Sequence, residues 1–336
     1  MSLPPTLADP ARGGEFALIA RHFQRAHAPL PASVVLGVGD DCALLCPTPG
    51  HQIAISSDML VSGRHFLPNV APAALGHKAL AVNLSDLAAM GARPLGFTLA
   101  LALPQVDDIW LADLARGLFA LADAHACPLV GGDTTRGPLN LCITVFGEVR
   151  PGASLRRSAA QVGDDIYVSG DLGGACLALQ CLQDPKSTPT GLDQTTLDRL
   201  RVRLERPTPR VALGQALAGV AHAAIDISDG LAGDLGHVLR ASGVGAELAL
   251  QALPQPDAVA ALPALERLRC VLQGGDDYEL VFTARAGARE AVEAAARRSD
   301  TPVCRVGQIV AGSGLHLVDE HGNRQAFAGA GFDHFK

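Results

Sequence analysis

A chain of 336 residues, 48% hydrophobic and 18% charged, is long enough for about two domains and too apolar for intrinsic disorder. Its mean hydropathy of +0.22 would allow a membrane span, but the longest apolar stretch, 94–106, is shorter than the roughly 18 residues required and holds two prolines. Twenty-seven basic against 34 acidic residues give a net charge of −7, which argues against coating a polyanion such as nucleic acid and leaves small phosphorylated ligands open.

In chain order, Phe16, Ile19 and Phe23 recur at helical spacing and predict an amphipathic helix over 15–27. Short apolar runs at 34–38 and 52–56 read as strands, and the Ala/Leu-rich segment 73–90 as a helix. Residues 97–103 suggest a buried strand, and 107–125 a second strong helix whose opening Asp107 and Asp108 suit its N-terminus. The β-branched segment 140–149 is strand-like, and Arg150, Pro151 and Gly152 mark a domain junction. The second half predicts strands at 165–169, 223–227, 246–250, 270–272, 280–283 and 303–309, with helices ending at Leu182 and spanning 211–220. A polar loop fills 184–193, and Arg206-Pro207-Thr208-Pro209 resets the chain. No repeat stands out, so we expect an α/β chain of two domains, 1–150 and 151–336.

The N-terminus lacks a basic start followed by an apolar stretch, so a cytoplasmic protein is expected. The eight cysteines (Cys42, Cys46, Cys127, Cys142, Cys176, Cys181, Cys270, Cys304) form no CxxC pair and read as buried free thiols of a reducing compartment. Lysine occurs only at Lys78, Lys186 and Lys336, which leaves arginine as the principal cation for phosphate.

The carboxylates carry the chemistry. Six apolar segments end in Asp beside glycine or a small hydroxyl residue: VVLGVGDD (Asp40, Asp41), IAISSD (Asp58), AVNLSD (Asp86), PLVGGD (Asp133), AIDISDG (Asp226, Asp229) and VLQGGDD (Asp276, Asp277). One such Asp is usually a turn or cap residue. Six suggest carboxylates gathered at a sheet rim, where open α/β folds bind ligands. Two charges about 4 Å apart would repel by roughly 4 kcal/mol at an effective dielectric near 20, so a hard divalent cation, Mg²⁺ above all, is the natural neutraliser. Ser56, Ser57, Ser85 and Ser228 could add oxygen ligands or cap turns. Mg²⁺ usually serves substrate phosphates, and GGDTTRG (131–137) offers an NH-rich loop with Arg136 as a planar donor, as Arg156 and Arg157 do further on. GxxxxGK[ST], the kinase HRD and DFG, GxSxG and HExxH are absent, and GVGDDC meets only part of GxGxxG.

Read together, GEFALIARHF, GVGDDCALL, AISSDMLVSGRHF, KALAVNLSDLAAMGA, GGDTTRG, AIDISDGLAGDLGH, GGDDYEL and GFDHF cover the chain from Gly14 to Phe335. In order and wording they resemble the thiamine-monophosphate kinases, a branch of the aminoimidazole-ribonucleotide-synthetase-like superfamily. The resemblance implies a two-domain fold whose N-terminal sheet forms a barrel in a homodimer, with a C-terminal α/β domain. It implies ATP-dependent phosphorylation of thiamine phosphate to thiamine diphosphate with several Mg²⁺ ions, the residues 1–150 binding ATP and metal and 151–336 completing the substrate site. Carried over by motif, Asp41, Ser56, Ser57, Asp58, Asp86, Asp133, Asp226 and Asp229 would hold metal. Gly132, Asp133, Arg157 and Ser228 would contact ATP, and His65, Asp276 and the tail aromatic Phe332 the thiamine portion. The family often has Glu where this chain has Asp276.

A phosphate-monoester acceptor is already anionic near pH 7, so no catalytic side chain is assigned and transfer is expected to be direct and in line. His65 competes with an ordinary structural histidine. The alternatives are another superfamily member, a metal-dependent phosphomonoesterase and a nucleotide-sensing dimer without turnover. His334-Phe335-Lys336 lacks the terminal cysteine of the hydrogenase-maturation branch, the N-terminal region lacks the Cys-plus-Lys segment of the selenophosphate synthetases, and no DxDx[TV] motif supports an aspartyl-phosphate hydrolase.

Overall fold

The computed structural model describes residues 14–25 and 30–327. The chain divides into two compact units, one of Met1–Asn83 with Pro94–Glu148, the other of Leu84–Arg93 with Val149–Lys336.

The first unit runs α1 (Glu15–His22), β1 (Val34–Leu36), β2 (Leu44–Leu45), β3 (Gln52–Val61), α2 (Pro72–Ala89), β4 (Arg93–Leu103), α3 (Asp108–Ala124), β5 (Leu129–Arg136) and β6 (Asn140–Val149), except that the end of α2 from Leu84 onward belongs to the second unit. β1 and β2 pair antiparallel, and the main sheet has the order β3-β6-β4-β5 with β4 and β5 parallel. Asp107 caps α3 as its position suggests, its carboxylate accepting the N–H groups of Ile109 and Trp110 at 3.0 Å. Leu111, Leu114 and Leu118 recur along one face of α3 and are fully buried, as are Phe97, Leu101 and Leu141 of the sheet. The edge strand β3 turns a row of apolar side chains outward: Ile53, Ile55, Met59 and Val61 are all exposed, Ile55 by 63%.

The second unit continues with β7 (Asp164–Ser169), α4 (Gly174–Gln183), α5 (Gln194–Glu205), α6 (Val211–Leu217), β8 (Ala223–Ile227), α7 (Leu231–Ser242) and β9 (Gly245–Ala249). It closes with α8 (Asp257–Ala260), α9 (Ala264–Gln273), β10 (Glu279–Arg285), α10 (Arg289–Arg298), β11 (Val303–Val310), β12 (Gly314–Val318) and β13 (Arg324–Phe327). Its sheet has the order β13-β12-β9-β11-β7-β10-β8. β12 and β9 are parallel and the other pairs antiparallel. Ile166, Val168, Ile225, Ile227 and Val281 of the sheet are buried with Leu235, Val238 and Leu239 of α7 in one core.

Several expectations need correction. Residues 270–272 are not a strand but the last turn of α9, since a three-residue apolar run fits either element and the preceding ALERLR is built of good helix formers with Glu266 in the first turn. The first helix ends at His22, so it does not continue toward His27, which lies outside the described residues. α5 is a further helix, capped where Asp193 accepts the Thr196 N–H at 2.7 Å and buried only through Leu200 and Leu204. The cysteines are free, but Cys42 and Cys46 are exposed, because the two-stranded β1–β2 pair that carries them is too small to cover them. No described helix is long and apolar enough to cross a membrane.

Candidate active site

In the first unit Asp40 and Asp41 follow β1 in a turn where Asp40 Oδ1 accepts the Asp41 N–H at 2.8 Å. Both line a cavity of about 580 Å³ together with Gly132 and Asp133 of β5 and the aromatic rings of Phe16 and Phe23. Gly132 has φ +147° and stands opposite Leu99 of β4, whose carbonyl a Cβ would strike. The glycine is therefore required by the close strand pairing, and it leaves Asp133 exposed at the cavity wall.

Ser56, Ser57 and Asp58 lie within β3, where alternation separates Ser57 from its neighbours. Ser57 Oγ meets Thr144 Oγ1 at 3.0 Å and the Ile143 carbonyl at 3.1 Å. The Asp58 N–H donates to Asn83 Oδ1 at 3.1 Å, and the fully buried Asn83 is fixed in turn by its bond to the Ala79 carbonyl. His65 Nδ1 accepts the Val61 N–H at 3.0 Å, so one ring nitrogen holds the turn after β3.

The second unit brings its expected residues into closer company. Ser85 Oγ donates to Asp226 Oδ2 at 2.9 Å, both side chains being buried, and Asp86 is the next residue on α2. β8 ends at Ile227, and Ser228-Asp229-Gly230 leads into α7. Asp234, in the first turn of α7, accepts the N–H groups of Ser228 and Asp229 on one oxygen, Oδ2, at 3.1 and 3.0 Å. Its burial pushes its carboxyl up to about 7.

The 274–278 segment packs on the same turn. The Asp276 N–H donates to the Ser228 carbonyl at 2.9 Å and the Tyr278 N–H to that of Ile227 at 2.8 Å. Asp276 and Tyr278 both hold left-handed backbones, φ +69° and +49°, and a Cβ on Gly275 would lie 2.5 Å from the Ser228 carbonyl. Asp277 is buried, accepts the Gly173 N–H at 2.8 Å, and has its carboxyl raised by that burial. Glu279 is buried between Arg210, bonded through Nε and a terminal nitrogen at 2.6 Å each, Arg203 at 2.9 Å and Ser169 Oγ at 2.6 Å. These contacts anchor the start of β10 and hence the loop before it. Arg157 lies in a short 3₁₀ turn whose carbonyl accepts Ser242 Oγ at 2.8 Å.

The rim expectation thus holds for one segment in its literal form, 223–229, where the acids sit at and just after the end of β8. Asp41 comes several residues after β1, Asp58 and Asp133 lie inside strands, Asp86 inside α2, and Asp276 between α9 and β10. The reason is local: serine fits mid-strand on the edge strand β3, and residues 131–136, expected as an NH-rich loop, continue β5 with Gly132 in close pairing against Leu99. Phe332 lies outside the described residues. Asn83, Asp234 and Glu279 escaped the sequence reading as site residues. Only Asp234 left a usable signal, an acid in the first turn of a helix directly after a Ser-Asp-Gly turn.

The donor set of the expected metal residues is carboxylate and hydroxyl oxygen throughout, the chemistry of a hard cation such as Mg²⁺. Among the described residues no three His, Cys, Asp or Glu side chains are grouped so that they could hold a metal ion; Mg²⁺ usually takes only one or two carboxylates and keeps several waters.

Residues 39–149 match the family model described as AIR synthase related protein, N-terminal domain, and 161–320 that of the C-terminal domain. The thiamine-monophosphate kinase of Salmonella typhimurium is 46% identical over 324 residues, 96% of this chain and 98% of that protein. The chain belongs to the thiamine-monophosphate kinase family. The crystal structure of the thiamine-monophosphate kinase from Stenotrophomonas maltophilia K279a superimposes with a TM-score of 0.80 at 48% identity, covering 85% of this chain and 91% of that one. AaThiL complexed with AMPPCP and TMP superimposes with a TM-score of 0.74 at 26% identity, covering 86% and 89%. The two-domain α/β fold with mixed sheets is that of the AIR synthase related proteins.

Proposed function

We propose that this protein transfers the γ-phosphoryl group of ATP to thiamine monophosphate, giving thiamine diphosphate and ADP. The observation that carries the reading is likeness to thiamine-monophosphate kinases along almost the whole chain, 96% of it for the Salmonella typhimurium relative. The neighbour complexed with AMPPCP, an ATP analogue, and TMP supports the choice of substrates.

A terminal oxygen of the thiamine phosphate attacks the γ-phosphorus while the bond from that phosphorus to the β,γ-bridging oxygen breaks and ADP departs. Because a phosphate monoester is largely dianionic near pH 7, no side chain has to remove a proton. The protein's task is to align two polyanions. Arg157 offers planar donors to phosphoryl oxygens, and Gly132, Asp133 and Ser228 complete the nucleotide contacts. Asp41, Ser56, Ser57, Asp58, Asp86, Asp133, Asp226 and Asp229 would hold Mg²⁺, which when bound neutralises charge on the phosphates. His65, Asp276 and Phe332 would contact the thiamine portion. Residues 1–150 are assigned to ATP and metal binding and to dimerisation, and 151–336 to completing the substrate contacts.

A homodimer is supported by the apolar row Ile53, Ile55, Met59 and Val61 on the edge strand β3, a surface suited to a second copy closing a barrel. The cytoplasm, which supplies ATP and Mg²⁺, is the proposed location.

With γ-labelled ATP and thiamine monophosphate, label should appear in thiamine diphosphate and never in protein on a denaturing gel. A labelled phosphoenzyme would overturn direct transfer. Thiamine release without ATP would replace the reading with a phosphomonoesterase.

A further inference from the structure

We propose that Asp234 is a positioning residue: its carboxylate sets the Ser228-Asp229 turn so that the turn can receive Mg²⁺ and ATP. The inference rests on the assignment of Ser228 and Asp229 to nucleotide and metal.

Asp234 is 4% exposed, and burying a carboxylate is costly unless it is hydrogen-bonded. Its Oδ2 takes two successive backbone N–H groups, those of Ser228 and Asp229. The Asp234 N–H itself makes the first α-helical bond of α7, to the Gly230 carbonyl at 3.0 Å. Backbone and side chain of one residue therefore tie the turn to the helix.

This side chain is what caps the turn. Ser228 and Asp229 precede Gly230, the N-cap of α7, so their N–H groups lie outside the helical ladder and need an acceptor of their own, which Asp234 supplies. The opposite edge of the turn is held by Asp276, whose N–H binds the Ser228 carbonyl. Ser228 is thus fixed on its N–H side by Asp234 and on its carbonyl side by Asp276, which sets the backbone from which Ser228 and Asp229 are presented. The same helix serves a second element of the site: Ser242, at its last residue, donates to the Arg157 carbonyl and accepts the Ala160 N–H at 3.1 Å. α7 thus frames three residues assigned to nucleotide or metal. A partner that orients a ligating group typically governs about 10- to 100-fold in metal affinity.

The test measures Mg²⁺–ATP binding to the full chain by calorimetry, beside thermal melting, for wild type, Asp234→Ala and Asp234→Asn. Because a single oxygen takes both N–H groups, the Asn amide oxygen can replace it, and Asp234→Asn should bind within about threefold of wild type. Asp234→Ala should raise Kd by about 10- to 100-fold. Loss of melting temperature in Asp234→Ala with unchanged Kd would make the role merely structural and overturn the proposal, as would equal impairment of Asp234→Asn. A wild type that does not bind Mg²⁺–ATP would overturn the functional reading along with it.

Discussion

Gly132 shows how one residue can be constrained by packing and assigned to a ligand at once. Its φ of +147° and its contact with the Leu99 carbonyl leave no place for a Cβ, so Gly132→Ala should cost about 2–3 kcal/mol and raise the KM for ATP, as thermal melting and steady-state kinetics would check. Asp165, away from the site, makes a cleaner pH prediction. Burial pushes its carboxyl up, but bonds from Arg289 Nε at 2.7 Å and from Arg305 at 3.2 Å outweigh that and hold it below the usual carboxylate range. A folded-state pKa below the unfolded value of about 3.9 stabilises the protein above that value and ceases to do so as pH falls through the folded pKa. Asp165→Asn should therefore lower stability by about 2 kcal/mol between pH 5 and 8, with the gap to wild type closing below about pH 4 in denaturant titrations. A gap unchanged in acid would contradict the assignment. Both arginines are half exposed, which keeps the figure modest.

At the scale of elements, α7 deserves its own test. Ser242→Ala removes the donor to the Arg157 carbonyl and the acceptor of the Ala160 N–H, and should raise the KM for ATP about fivefold with kcat nearly constant. Equal loss in both parameters would speak against a binding role. Elements with strong periodicity or clear caps were legible in the sequence, as α3 was through Asp107 and its buried leucines. α5 was not, because two buried leucines in a polar segment resemble a loop. α9 was misread because Cys270, Val271 and Leu272 are adjacent and carry no period. The candidate site was legible as residue types in ordered motifs, but the residues that hold them, Asn83, Asp234 and Glu279, were not. Their importance lies in burial and in backbone partners distant in sequence, such as the Asp58 N–H held by Asn83, 25 residues away.

For the whole molecule, the apolar face of β3 predicts association. Ile55 is 63% exposed in the middle of that face, so Ile55→Glu should convert a dimer to a monomer in sedimentation velocity, while a wild type that sediments as a monomer would remove the case for the dimer. The chain passes between its two units after Asn83, Arg93 and Glu148, and the first of these points falls inside the continuous helix α2, which no turn signal announces. The central claim is phosphoryl transfer from ATP to thiamine monophosphate, with Asp58 proposed among the metal ligands. Its most direct test incubates the purified protein with ATP, Mg²⁺ and thiamine monophosphate and follows thiamine diphosphate by chromatography, beside Asp58→Asn and a blank without ATP. The account predicts one thiamine diphosphate per ADP, lost in Asp58→Asn and absent from the blank. No diphosphate, with free thiamine in the blank, would contradict it.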